Sequence, residues 1–324
     1  MSIGVVGAGA WGTALALAAA RAGNSVRLWA RDADQVAAMR ATGENSRALP
    51  GVPLPDAIQP TDELGWALDG AEAVLVVTPA QTLRTVLPRL APWLGAHTPV
   101  VLCAKGIERD TGLLPSQVAE GILSQPVLAL SGPSFASDVG RGLPTAVVIA
   151  ARDEQLATDA ARLMSSSTFR PYSTDDLLGV EAGGALKNVF AIAAGAVAGA
   201  GLGASASAAM VTRGFVELRR LSAALGGRPE TAMGLSGLGD LLLTCSSVQS
   251  RNFLYGTALG RGESLAGLPL AEGVPTAGIA ARLASERGVE APIVSAVAAI
   301  LAGHLTIGDA VEALMSRPLK SEDV

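Results

Sequence analysis

The sequence is poor in aromatic residues, cysteine and histidine. Aromatic residues make up 3% of the 324 residues, and there are two cysteines and two histidines. Because Cys103 and Cys245 both lie in apolar surroundings, we expect buried, reduced thiols in a cytoplasmic protein and no disulfide. His97 and His304 lie away from the predicted strand ends, and we expect both to be structural. The chain has no Cys/His spacing typical of a metal site and no G-x-S-x-G nucleophile elbow, so we predict no metal.

The chain also lacks an excess of positive charge. Its net charge is −5 and its pI about 5.2, which argues against nucleic-acid binding through a broad basic surface. Residues 1–20 are uncharged, but no Lys or Arg precedes the apolar stretch and three glycines interrupt it, unlike a signal peptide. Residues 188–212 are also uncharged, yet Ala, Gly and Ser dominate them and a glycine-rich break lies at 199–204. We expect two buried helices joined by a turn, and no membrane span.

What the chain does contain is a glycine fingerprint near its start. A short apolar strand is predicted over 3–6, a helix over 10–22 and a second strand over 25–30. Between the first strand and the helix lie Gly7, Gly9 and Gly12 in a G-x-G-x-x-G arrangement. In this context Gly7 makes the tight turn, Gly9 lets the backbone approach a pyrophosphate, and Gly12 allows close helix–strand packing. The segment therefore predicts dinucleotide binding at a helix N-terminus.

Residues at the end of the second strand contact the adenine ribose in such folds, and here they leave the choice between NAD and NADP open. Ala30 stands where an NAD site usually has Asp or Glu, and Arg31 follows it. Arg31 would pair with a 2′-phosphate, which favours NADP. Asp32, however, lies at about the expected distance beyond the fingerprint, and Arg31 as a solvated loop charge is a third interpretation.

Strand and helix patterns continue to alternate up to residue 172. Strands are predicted over 73–77, 99–104 and 126–130, with edge strands over 146–150 and 168–172 flanking a helix over 154–164. This alternation predicts a mostly parallel sheet, and ligands bind beyond the carboxyl ends of such strands. The residues predicted at those ends are Thr78, Pro79, Lys105, Gly132 and Ser134.

After residue 172 the patterns are helical. Helices are predicted over 175–199, 204–225, 237–243, 251–260, 275–287, 291–302 and 307–315. The fold class is therefore α/β, with a Rossmann-type N-terminal domain containing a mostly parallel sheet, followed by an all-α C-terminal domain. We place the boundary so that the domains comprise residues 1–178 and 179–324.

Lys187 is the most informative residue of the helical part. It is the one charge after Glu181 until Arg213, and an ammonium group on an apolar helix is costly unless an anion or water is near. The alternative is that Lys187 extends to solvent from a core helix. Lys105 comes from the other domain, and two ammonium groups in one cleft would lower a lysine pKa toward the working range. Asp240 could orient one of them, or could simply stabilise the start of a helix.

A second cluster, at residues 250–252, predicts a phosphate site. Ser250 is a suitable N-cap, which places Arg251 and Asn252 in the first turn of a helix. A cation is unfavourable at that position unless an anion binds there. The alternative is that Arg251 is an exposed loop residue.

Together these motifs resemble the bacterial NAD(P)-dependent glycerol-3-phosphate dehydrogenases over nearly the whole chain. The matching segments, in order, are 7–15 (GAGAWGTAL), 104–106 (AKG), 131–136 (SGPSFA), 183–189 (GGALKNV), 237–241 (GLGDL), 243–245 (LTC), 250–252 (SRN) and 271–273 (AEG). Residues 45–55 are similar to the family's proline-rich flap. The chain departs from the family at 273–276, where relatives often carry a Tyr or Phe and an Arg.

The resemblance implies reversible reduction of dihydroxyacetone phosphate to sn-glycerol 3-phosphate with NADP or NAD, by a cytoplasmic homodimer that supplies glycerophospholipid synthesis. It implies that Lys187 exchanges the proton and Lys105 holds the substrate, with Asp240 as a third catalytic residue. The implied substrate-binding residues are Lys105, Gly132, Ser134, Lys187, Asp240, Thr244, Ser250, Arg251 and Asn252. The implied cofactor-binding residues are Gly7, Gly9, Ala10, Trp11, Gly12, Arg31, Lys105, Ala136, Arg251, Leu270 and Glu272.

Two other functions remain open from the sequence. One is a related dehydrogenase acting on a 3-hydroxy acid, since those enzymes also use a lysine on the first helix after the Rossmann-type domain. The other is a non-catalytic NAD(P)-binding sensor, for which loss of Lys187 would leave cofactor binding unchanged.

Overall fold

A computed structural model describes residues 1–319 and 321, and its N-terminal part is organised on one eight-stranded sheet. The strands are β1 (Ser2–Val6), β2 (Ser25–Trp29), β3 (Ile58–Thr61), β4 (Ala73–Val76), β5 (Val100–Leu102), β6 (Val127–Ser131), β7 (Thr145–Ala151) and β8 (Phe169–Thr174). Their order is β3-β2-β1-β4-β5-β6-β7-β8. Every neighbouring pair is parallel except β6 and β7. The predicted mostly parallel sheet is confirmed.

Seven α-helices accompany the sheet in the described part of the chain. They are α1 (Ala10–Arg21), α2 (Ala33–Thr42), α3 (Leu64–Leu68), α4 (Leu83–Leu90), α5 (Pro115–Glu120), α6 (Ala136–Arg141) and α7 (Glu154–Met164). Apolar side chains of the strands are buried on both faces, in two separate clusters. This burial explains why the central strands are continuous apolar segments, as expected for a sheet covered on both sides.

Two strand predictions need correction. The segment 146–150 was expected at the edge of the sheet, but β7 lies between β6 and β8, so that of the two predicted edge strands only β8 lies at an edge. The pairing of β7 with β6 is antiparallel, which apolar alternation cannot reveal. β3 was not predicted, because it has four residues, one of them Pro60, and carries little pattern. Pro60 is tolerated because β3 is the other edge.

In the C-terminal part every regular element of the described residues is a helix. The helices are α8 (Leu177–Gly199), α9 (Ala204–Ala224), α10 (Pro229–Ala232), α11 (Asp240–Cys245), α12 (Arg251–Gly260), α13 (Gly273–Glu286), α14 (Pro292–Leu301) and α15 (Ile307–Met315). The helix predicted over 237–243 is in fact a π-helical turn, Leu235–Gly239, followed by α11. The other predicted helices are present within a few residues of their expected ends. The predicted boundary at 178/179 falls in the first turn of α8 and stays a prediction.

Helix α8 is the centre of the helical part. It packs against α9, α11, α12 and α13, and glycines let α12 approach closely: a Cβ on Gly195 would lie 2.0 Å from the Phe253 carbonyl oxygen. The helix is long and apolar enough to cross a membrane, but 94% of its most apolar 18-residue segment is buried inside the protein. The predicted turn between two helices is confirmed, and α8 is buried, but the expected burial of the second helix is wrong, because no residue of 204–212 in α9 is buried. The expected burial of the free thiols of Cys103 and Cys245 is confirmed as well.

Candidate functional site

The glycine loop between β1 and α1 is shaped to admit an anionic group. Gly7 has a φ of 117°, and a Cβ on Gly12 would lie 1.8 Å from the Gly7 carbonyl oxygen. By contrast, a Cβ on Gly9 would meet no atom within 4 Å, so the space above it is open. No side chain caps the N-terminus of α1, and its first N–H groups are available to a ligand. The three glycines therefore take the positions that the fingerprint predicts.

Several buried polar side-chain atoms at this edge of the sheet have no hydrogen-bond partner within the described chain. They include Trp11 Nε1 in the glycine fingerprint, Thr78 Oγ1 just after β4, and Ser131 Oγ at the end of β6. Buried polar atoms are normally paired, so groups of this kind at one edge of a sheet indicate a ligand site. The open loop and these atoms together fit a dinucleotide.

The residues expected to read the ribose lie at the end of β2. Ala30 is buried and Arg31 is exposed. Asp32 is the N-cap of α2, since its Oδ1 accepts hydrogen bonds from the N–H groups of Asp34 and Gln35 at 3.1 and 3.3 Å. The positions of Arg31 and Asp32 are compatible with either a 2′-phosphate or a 2′-hydroxyl.

Two lysines and one aspartate form a buried cluster beyond the ends of the strands. The Nζ atom of Lys187 donates to Asp240 Oδ1 and to Thr244 Oγ1, each at 2.6 Å. The Nζ atom of Lys105 donates to Asp240 Oδ2 at 2.6 Å and to the Gly132 carbonyl oxygen at 3.0 Å. The side chains of Lys187 and Asp240 are 8% and 2% exposed. One carboxylate thus bridges two ammonium groups from different parts of the chain.

The cluster is assembled from three distant segments. Lys105 follows β5, Lys187 lies in the middle of α8, and Asp240 is the first residue of α11. A Cβ on Gly184 would lie 2.6 Å from Ser131 Oγ, so the absence of a side chain there lets the end of β6 approach α8. The small size of Gly184 thus lets a strand end lie against the helix that carries Lys187.

Burial and charge shift the titration of this cluster. Burial lowers the pKa of Lys187 to about 8, with a smaller contribution from the positive charge of Lys105, while Asp240 opposes the shift. Burial alone would raise the pKa of Asp240, but the two ammonium groups hold it below its usual range. The solvent-directed interpretation of Lys187 is wrong, because its ammonium group is buried. Asp240 does lie at a helix start, and its carboxylate also accepts hydrogen bonds from both lysines. A lysine with a pKa of about 8 can both give and accept a proton near neutral pH.

A chain of hydrogen bonds fixes the backbone around the lysines. Asn188 donates to the Lys105 carbonyl oxygen at 3.1 Å, and Asn252 donates to Asn188 Oδ1 at 2.9 Å. The N–H group of Gly273 donates to Asn252 Oδ1 at 2.8 Å. Asn188 was not among the predicted site residues, and its position directly after Lys187 was the available signal.

The predicted phosphate cluster has one side chain free to bind. Ser250 is the N-cap of α12 as predicted, with Oγ accepting from the Phe253 N–H group at 3.2 Å. Asn252 is buried and hydrogen-bonded within the protein, whereas Arg251 is exposed. No carboxylate of the described residues lies within ion-pair distance of Arg251. Arg251 is not in a loop but is the first residue of α12, where an anion would be favourable.

The remaining predicted residues lie around the same edge of the sheet. The carboxyl of Glu272 accepts a hydrogen bond from the Ala80 N–H group at 3.2 Å, and burial raises its pKa. Ser134 Oγ donates to the Gly132 carbonyl oxygen at 3.0 Å. Ala10 and Ala136 begin α1 and α6, while Leu270 is 54% exposed just before α13.

A Rossmann-type sheet with an open glycine loop, and a buried Lys–Asp–Lys cluster at the same edge, define a dinucleotide-dependent oxidoreductase with a helical second domain. Two family models match this chain: NAD-dependent glycerol-3-phosphate dehydrogenase N-terminus over residues 2–157, and its C-terminus over residues 176–312. The chain belongs to the NAD-dependent glycerol-3-phosphate dehydrogenase family.

Individual relatives agree with this assignment. The chain is 67% identical to a glycerol-3-phosphate dehydrogenase (NAD(P)+) of Mesorhizobium japonicum, covering 98% of this chain and 93% of that protein. It is 62% identical to the protein of the same name from Chelativorans sp., covering 99% and 98%. A crystal structure of glycerol-3-phosphate dehydrogenase from Coxiella burnetii superposes with a TM-score of 0.92 at 39% identity, covering 98% and 99%.

Proposed function

We propose that this protein catalyses the reversible reduction of dihydroxyacetone phosphate to sn-glycerol 3-phosphate with NADPH or NADH. The observation that carries the proposal is the buried ammonium group of Lys187, held by Asp240 and Thr244 at the edge of the sheet where the glycine loop opens. Membership of the family supports the substrate, since the relatives above carry the name of this activity.

In the proposed chemistry the two hydrogens added to the carbonyl group come from different sources, one as a hydride and one as a proton. When bound, the nicotinamide supplies the hydride to the carbonyl carbon. The Lys187 ammonium group gives the proton to the carbonyl oxygen, and in the oxidation the neutral amine takes it back from the hydroxyl. Asp240 stabilises the charged form of Lys187, and Lys105 holds the substrate oxygens in place. The pKa of about 8 keeps both forms of Lys187 accessible.

The substrate phosphate is assigned to the start of α12. Arg251 is exposed at that helix start, with Ser250 and Asn252 beside it, and a phosphate there would gain both a charged partner and the helix N-terminus. Gly132, Ser134 and Thr244 complete the proposed pocket. The supply of glycerophospholipid synthesis, the cytoplasmic location and the homodimer rest on the family resemblance.

The cofactor is assigned to the edge of the sheet that carries the glycine loop. Gly7, Gly9, Ala10, Trp11 and Gly12 would hold the pyrophosphate and its surroundings, and Arg31 the adenine end. Nearer the nicotinamide we place Lys105, Ala136, Arg251, Leu270 and Glu272.

The experiment is to follow oxidation of NADH and NADPH with dihydroxyacetone phosphate and, in parallel, with a 3-oxo acid. We expect turnover with dihydroxyacetone phosphate and none with the 3-oxo acid. Lys187→Met should lower that turnover by about a hundredfold or more, the usual scale of general acid–base catalysis. Affinity for NADPH, titrated by fluorescence, should stay the same. Turnover only with the 3-oxo acid would favour the related dehydrogenase, and binding without any turnover would favour the sensor.

A further inference from the structure

The flap, residues 45–55, is fastened to the nucleotide end of the sheet. Asn45, which is 1% exposed, donates to the Ala8 carbonyl oxygen at 3.0 Å and to Thr13 Oγ1 at 2.7 Å. Gln35 of α2 donates to the same Ala8 carbonyl oxygen and to Asn45 Oδ1. These bonds tie the start of the flap to both the glycine loop and α2. The residues after Asn45 are therefore held close to the end of β2.

Arg47 is the flap residue that contacts this end directly. Its Nη1 atom lies 2.5 Å from Asp32 Oδ2, and the two side chains are 70% and 40% exposed. The other oxygen of Asp32 caps α2, so the carboxylate is fixed in place. Exposed ion pairs contribute little, so the guanidinium group of Arg47 can leave Asp32 at small cost. Arg31, the neighbour of Asp32, is exposed on the same segment.

This arrangement has a direct electrostatic consequence. The end of β2 is where the adenine ribose lies in a Rossmann-type site, and a carboxylate there accepts from a 2′-hydroxyl. The same carboxylate repels a 2′-phosphate unless a cation offsets its charge. Arg47 is placed to offset it, and its planar guanidinium group is suited to binding phosphate.

We propose that Arg47 is a specificity-determining residue for the cofactor: it neutralises Asp32 and, with Arg31, binds the 2′-phosphate of NADPH. With NADH bound, Asp32 accepts the 2′-hydroxyl and Arg47 stays paired with it. The inference rests on the proposed use of NAD(P), and it explains how a chain with a fixed aspartate at this position accepts both cofactors.

The test is equilibrium binding, titrated by nucleotide fluorescence for NADPH and NADH and by calorimetry for 2′,5′-ADP and 5′-ADP. Arg47→Ala should weaken NADPH and 2′,5′-ADP by about tenfold or more, as expected when a charge-assisted hydrogen bond is lost. NADH and 5′-ADP should change by less than about twofold, because an exposed ion pair contributes little. Arg47→Lys should keep part of the NADPH affinity, and Asp32→Asn should restore part of it in the Arg47→Ala protein.

Arg40→Ala is the matched control, since Arg40 is another exposed arginine, on α2, whose guanidinium group bonds the Pro60 carbonyl oxygen instead. It removes the same charge and should leave the NADPH-to-NADH affinity ratio unchanged. Equal losses for both nucleotides in Arg47→Ala would overturn the inference, because Arg47 would then only position the flap. Unchanged affinities would overturn it too. Wild-type protein that binds neither nucleotide would overturn the proposed function itself, and this inference with it.

Discussion

Replacing Asp240 with asparagine tests the electrostatics of the site most directly. Its carboxylate oxygens accept hydrogen bonds from Lys187 and Lys105, each at 2.6 Å, in a largely buried cluster. Asp240→Asn keeps the size of the side chain but removes the charge that favours the ammonium form of Lys187. The positive charge of Lys105 then acts on Lys187 with less compensation, so the pKa of Lys187 must fall below its value of about 8.

The size of the effect follows from the usual influence of a neighbouring charge. Loss of an opposite charge at this distance shifts a pKa by about 1–3 units, which places that of Lys187 between about 5 and 7. At a pH of about 7.5 the protonated fraction would drop from about three quarters to between about one quarter and 0.3%. Reduction of dihydroxyacetone phosphate, which needs the ammonium form, should therefore slow by about threefold to two hundredfold from this cause alone.

The assay is the pH dependence of kcat/KM in both directions. In the wild type, kcat/KM for the reduction should decline as pH rises through about 8, and kcat/KM for the oxidation should increase. In Asp240→Asn both transitions should move to lower pH by the same amount. Thr244→Val, which removes a hydrogen bond from Lys187 but no charge, is the control and should shift them much less. Transitions that remain at the wild-type pH in Asp240→Asn, with the protein still folded by thermal melting, would refute the assignment of Lys187.

Three further predictions concern other parts of the molecule. Arg31→Ala should weaken NADPH more than NADH by about 1.5–3 kcal/mol in binding titrations, and equal losses would show that Arg31 does not read the 2′-phosphate. Arg251→Ala should lower kcat/KM for dihydroxyacetone phosphate by about thirtyfold to several thousandfold, while the poor activity with dihydroxyacetone hardly changes. A similar loss with both substrates would show that the substrate phosphate binds at other residues. Burial raises the pKa of Glu181 to about 8 from 4.5, so the folded state binds more protons between these values and stability falls as pH rises through them. Urea unfolding at about pH 5 and pH 8 should show that Glu181→Gln reduces this fall by a few kcal/mol, and an unchanged pH dependence would contradict the burial argument.

The amino-acid sequence by itself determined the parts of this protein that depend on local pattern. The glycine fingerprint between a strand and a helix, the alternating elements up to residue 172 and the helices after it follow from periodicity and from residues such as Gly7. Each of these signals is contained in a segment of about twenty residues, so that no knowledge of long-range contacts is required to recognise it. Lys187 could be singled out in the same way, because a lone charge on an apolar helix is conspicuous wherever the helix packs.

Only the tertiary structure decided which residues meet. Asp240 lies 53 residues from Lys187 and 135 from Lys105 along the chain, and no local pattern shows that its carboxylate bridges both. The pairing of Arg47 with Asp32 and the antiparallel placement of β7 were undetermined for the same reason. Such contacts depend on how helices and strands pack across the molecule. The pKa of Lys187 depends on them too, since burial and neighbouring charge exist only once the chain is folded.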